Sequence, residues 1–141
     1  MSRILTFPLV LSLLLSALAV RADTIIVHPD VPIDHLSANE LRSIFSMRSL
    51  RWVNGVPIRV FVLSDQSPVH KSFVKQKLEM FPYQLRMTWD RAVFSGTGYP
   101  PRKVSNVEDM VSRVRSTKGG IGYVNDESIP LLEGVKIVEI N

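Results

Sequence analysis

The chain has 141 residues, with 17 Lys+Arg against 13 Asp+Glu, a formal charge of +4 and no cysteine. Hydrophobic residues make up 45% and charged residues 21%. These values exclude a disordered chain, a collagen-like repeat and a disulfide-stapled miniprotein, and the length predicts one domain.

Residues 1–22 read as a cleaved secretory signal. Arg3 supplies the positive start, and residues 4–20 are apolar apart from Thr6, Pro8, Ser12 and Ser16. Val20-Arg21-Ala22 gives the cleavage site, with Ala17-Leu18-Ala19 as a rival three residues earlier. An uncleaved anchor fits less well, because the run is at the short limit for crossing a bilayer and Pro8 interrupts it. Cleavage leaves residues 23–141, with 15 Lys+Arg against 13 Asp+Glu. That near balance, on an exported chain, argues against a nucleic-acid partner. No cysteine is present to carry a lipid, so the expectation is a periplasmic or secreted protein without a membrane anchor.

Residues 24–27 form a short β-branched run, read as the opening strand. Ser37-Ala38-Asn39-Glu40 is a capping box, and Leu36, Leu41, Ile44 and Phe45 make one apolar face of a helix over 38–45. Asn54-Gly55 marks a turn. Residues 58–63 are a nearly continuous apolar run with only Arg59 polar, which predicts a strand covered on both faces. Ser67-Pro68 starts a second helix, cap followed by proline, with Phe73, Val74, Lys77 and Leu78 on its face and Pro82 as its stop. Residues 84–94 read as another helix, with Leu85, Trp89, Val93 and Phe94 apolar. Residues 96–101 are a loop by composition. Ser105-Asn106-Val107-Glu108 reads as a second capping box, ahead of a stripe of Val107, Met110, Val111 and Val114. Gly119-Gly120 stops that helix. Residues 121–124 and 135–140 are the last strands. The alternation predicts an α/β fold, a mixed or parallel sheet flanked by helices.

Few residues carry obvious chemistry. His28, His35 and His70 lack the spacing of a metal site, and with no thiol present they read as solvated surface side chains. Asp65, Ser67 and His70 lie close together, but no Gly-x-Ser-x-Gly elbow accompanies them and Ser67 already caps a helix. The glycines at 119, 120 and 122 precede a strand, the reverse of a dinucleotide loop, so no cofactor is expected. Arg113, Arg115 and Lys118 suit the end of a helix. The turn over residues 64–69 stands out, because a strand ends there and a helix begins. Ligands settle beyond the carboxyl ends of strands in open α/β sheets, and a helix N-terminus offers free amides to an anion. Ser67 can add a hydroxyl and the Val69 and His70 amides point the right way. Asp65 suits an anion only if the ligand brings a proton for it to accept.

Several segments together resemble the substrate-binding proteins of bacterial phosphate ABC transporters. They are residues 36–45, Arg51-Trp52-Val53-Asn54-Gly55, residues 60–67 and Gly119-Gly120-Ile121-Gly122-Tyr123-Val124. The resemblance implies a type 2 periplasmic-binding-protein-like fold over residues 23–141. That family has two α/β lobes with phosphate held in the cleft between them, and the likeness covers one lobe only, the second. The family's site pattern runs Arg-x-Asp-x-Ser-Gly-Thr ahead of a Phe. Asp65 and Ser67 match it and Phe73 keeps the register. Leu63 stands at the Arg position, and Pro68 and Val69 at the Gly-Thr positions. Each charge-assisted hydrogen bond lost is worth about 1.5–3 kcal/mol, so two losses weaken an anion by on the order of a hundredfold.

The expected function is therefore non-enzymatic: solute binding in the cell envelope, accessory to phosphate-type uptake. A small oxyanion such as phosphate would be held weakly by Asp65, Ser67, Val69, His70 and Lys71. The alternative is a protein-interaction or homo-oligomerising module, with Trp52, Tyr83, Tyr99, Pro100 and Pro101 as candidate contacts.

Overall fold

A computed structural model describes residues 23–141. Residues 1–22, read above as the secretory signal, lie outside the described residues. Six strands form one mixed sheet in the order β2-β6-β1-β5-β3-β4. The strands are β1 (Thr24–Val27), β2 (His35–Leu36), β3 (Arg59–Val62), β4 (Arg102–Lys103), β5 (Gly120–Val124) and β6 (Lys136–Ile140). β1 runs antiparallel to both β5 and β6, whereas β3 runs parallel to β5 and to β4. The carboxyl ends of β3, β4 and β5 therefore share one edge of the sheet.

All five residues of β5 are buried. The pleat sends Ile121 and Tyr123 to one face and Gly120, Gly122 and Val124 to the other. On the first face Tyr123 stacks on Phe73 at 3.9 Å between ring centroids, and Phe45 meets Phe73 edge-on at 4.8 Å. Phe45 ends α1 (Ala38–Phe45), and Phe73 lies on α2 (Pro68–Gln76). On the second face α4 (Val107–Ser116) presents Met110 and Val114 to Gly122, whose missing Cβ is what allows the close approach. This two-sided cover explains the uninterrupted apolar run of β5.

The first helix has the expected bounds. Its capping box is present, with the Glu40 amide donating to Ser37 Oγ and the Ser37 amide to the Glu40 carboxylate. Other expectations shift. Pro82 does not end α2, which stops at Gln76; it opens α3 (Pro82–Phe94), where its fixed φ suits the first turn. The cap of α4 is Asn106, which accepts from the Asp109 amide while Asp109 Oδ2 accepts from the Ser105 amide, one residue later than the sequence pattern suggested. Val93 and Phe94 are exposed, so the core face of α3 is Leu85 and Trp89 alone. The two-residue strands β2 and β4 and a 3-10 helix (Asp126–Leu131) were not visible as patterns.

Gly119 joins α4 to β5 at φ +78, and its carbonyl accepts from the Trp52 indole and the Arg59 amide, each at 3.0 Å. Trp52 is accordingly buried and is not an exposed contact. A Cβ at Gly119 would press into the Pro57 carbonyl oxygen, well inside van der Waals contact. Gly119→Ala is expected to cost about 2–4 kcal/mol, the left-handed backbone and the clash together. Urea unfolding checks this: the midpoint falls while the slope is unchanged.

Candidate functional site

The candidate site lies where β3 runs out and α2 begins. Burial in the sheet ends at Leu63, and the Ser67 amide closes a turn onto the Ser64 carbonyl at 2.9 Å. Ser67 caps α2 by accepting from the His70 amide, at a long 3.4 Å. One of the two amides expected to face an anion is therefore already engaged by the cap. Val69 lies in the first turn, where backbone amides lack intrahelical partners, and Lys71 is exposed on the next position but one.

His70 is fully buried, not a solvated surface side chain as its sequence context suggested. Its Nδ1 lies 2.5 Å from the Tyr123 hydroxyl, which also accepts from the Leu63 amide at 2.9 Å. Burial pushes the Tyr123 hydroxyl well above the usual phenol range, so it keeps its proton. With one lone pair taken by the Leu63 amide, its O–H donates to Nδ1. The His70 proton then sits on Nε2, which is buried without a hydrogen-bond partner and faces Asp65 Oδ1 at 3.6 Å. Burial lowers the pKa of His70, against the pull of Asp65, so the imidazole is neutral at neutral pH.

The charge on Asp65 is met instead by Arg86, whose Nε donates to Asp65 Oδ2 at 2.5 Å. That bond holds the Asp65 carboxyl below the usual range despite partial burial, and the Arg86 and Lys103 charges act in the same direction. Arg86 stands on α3 with its guanidinium 5.8 Å from the centre of the Trp89 ring. Sequence reading missed both Arg86 and Lys103. Nothing local to either position shows that α3 packs beside α2, or that two residues after Pro101 pair with β3. Position 63, where the resembling family carries its arginine, is filled by a buried leucine. A guanidinium nonetheless reaches Asp65 from a different helix.

Beside this cluster is a cavity of about 320 Å³, lined by Arg86, Lys103, Trp89, Phe94 and the single carboxylate of Asp90. Ser67 is not among its walls. Among the described residues no group of three or more His, Cys, Asp or Glu side chains could hold a metal ion. Among those residues, too, no helix is long and apolar enough to cross a membrane.

His70 ties stability to pH. The folded protein resists protonating it, whereas the unfolded chain takes up that proton near pH 6.5. The unfolded state thus binds more protons just below that pH, and stability must fall as pH drops from 7 towards 5. For one group the slope cannot exceed about 1.4 kcal/mol per pH unit. Urea unfolding across this range should show the slope, and His70→Gln should flatten it whatever the variant's absolute stability.

The sequence matches no protein-family profile and no curated protein. Its structure does have counterparts. It is similar to PstS from Borrelia burgdorferi, with TM-score 0.68 and 14% identity over 86% of this chain and 47% of that one. An ABC-type phosphate transport receptor from Vibrio cholerae gives 0.66 and 15% over 85% and 46%. A phosphate binding protein from Stenotrophomonas maltophilia gives 0.57 and 16% over 85% and 39%. The chain spans less than half the length of each of these proteins. The fold is that of one lobe of a phosphate ABC transporter substrate-binding protein, as the sequence resemblance implied.

Proposed function

We propose that this chain is a non-enzymatic, solute-binding-like domain of the cell envelope that holds a small oxyanion, phosphate first among them, at the start of α2. The observation that carries the reading is the Arg86 guanidinium set against Asp65 beside the Ser67 cap. Arg86 uses Nε on Asp65, which leaves its two Nη groups to donate to an anion in the forked geometry guanidinium favours. The Ser67 hydroxyl can donate, the Val69 amide adds a backbone donor, and Lys71 and Lys103 add charge. Asp65 is ionised, so its carboxylate accepts the proton of a monohydrogen oxyanion and disfavours a fully deprotonated one. The His70 amide strengthens the site only by keeping Ser67 in place. Export through the signal at residues 1–22 would deliver the domain outside the cytoplasmic membrane, where phosphate-type uptake begins.

Thermal unfolding tests this reading, in 20 mM phosphate against chloride of equal ionic strength. At ten times its dissociation constant a ligand stabilises by about 1.4 kcal/mol. For a domain of this size that is a shift of about 5 °C. The shift should vanish in Arg86→Gln and in Ser67→Ala but survive in Lys75→Gln. No shift beyond chloride, or one that survives both site variants, overturns the reading.

A specific observation favours the second reading, self-association. Tyr83, Met87 and Phe94 fall within one narrow stripe of α3, opposite Leu85 and Trp89, and all three are exposed, Phe94 at 96%. Such a stripe suits an interface. On this reading the protein sediments as a dimer at about 100 μM and Phe94→Glu returns it to monomer; a monomeric parent protein removes the reading.

A further inference from the structure

The larger of the two cavities that meet at Pro100 and Pro101 is unrelated to the Asp65 site. Its volume is about 620 Å³, within the roughly 300–1,000 Å³ range of small-molecule sites. It opens between the end of α1, the Arg51–Pro57 hairpin and the outer edge of β3. Much of its wall is apolar: Ile44 and Met47 from α1 and its exit, Leu50 and Ile58 flanking the hairpin, and Tyr99 from the loop before β4. Leu50 and Tyr99 remain 48% and 81% exposed, so the site leaves apolar surface in water that an occupant could cover.

Its charge is of one sign. Arg51, Arg59 and Arg102 line it, and no Asp or Glu does. Arg51 donates to the Gly55 carbonyl, a neutral partner. Neither Arg59 nor Arg102 has an ion-pair partner among the described residues, whereas Arg42, Arg86 and Arg113 each meet a carboxylate. Arg51, Arg59 and Arg102 are all exposed, so they rim an apolar cavity with positive potential that attracts an anion. A bare inorganic anion would satisfy the charge but leave the apolar walls wet. A neutral apolar molecule would cover the walls but leave the charge.

We propose that this cavity binds a small amphiphilic anion, an apolar body of several carbon atoms carrying one carboxylate or phosphate head. The head lies against Arg59 and Arg102, which bind it as forked donors. The body covers Leu50, Ile58 and Tyr99.

Titration of the isotope-labelled protein with octanoate, followed by amide and methyl NMR, tests this, with 1-octanol as the neutral control. The expected result is saturable binding that shifts Ile44, Leu50, Ile58 and Tyr99 and is at least tenfold tighter for octanoate than for octanol. The exposed-site double variant Arg59→Gln/Arg102→Gln should lose that preference while keeping the parent spectrum elsewhere. Equal affinity for octanol, shifts confined to α3 or an unaffected double variant would each overturn the proposal.

Discussion

A single buried phenol organises the end of the sheet where β3 runs out and α2 begins. Tyr123 has no access to water, so its hydroxyl must find partners within the protein or carry a penalty of a few kcal/mol. It finds two, the amide that ends β3 and the imidazole that opens α2. Its ring meanwhile stacks on Phe73, one turn further along the same helix. Three elements are thus fixed to one side chain, and the tautomer of His70 is fixed with them. The direction in which Nε2 points, towards Asp65, is a consequence of core packing.

The Asp65–Arg86 pair sets a guanidinium against the carboxylate although position 63 carries a buried leucine. The backbone at position 63 belongs to the buried end of the strand, and an arginine stem there would have to pass out of the core. Arg86 approaches instead from α3, with about half its side chain in water, so little desolvation opposes the pairing. The pair is solvent-screened and contributes modestly to stability. Its consequence is electrostatic: Asp65 stays ionised beside a cation that has donors to spare.

The chain spans less than half the length of the proteins whose fold it shares. Here α3 turns Leu85 and Trp89 inward and Tyr83, Met87 and Phe94 outward, so both sides of one helix are apolar. A helix of a self-contained domain ordinarily shows one such stripe. The edge of β3 is covered by only two residues of β4, which leaves the arginine-lined cavity beneath it open.

What the sequence determined by itself is the set of features that act over a few residues. The capping box at Ser37 and the Ser67-Pro68 helix start are local patterns, and local patterns read directly because their periodicity and cap chemistry need no partner. The likeness to one lobe of the phosphate-binding proteins was legible for the same reason, from short motifs in a fixed order. Relations between residues distant in sequence were set by the packing of the whole fold. Arg86 meets Asp65 across 21 positions and Tyr123 meets His70 across 53, so no spacing rule could join them. A histidine three places after a cap looked like a surface residue, and became a buried one only when Tyr123 closed over it. Pairing across long stretches of chain depends on which faces pack together, and that is settled by the whole core at once.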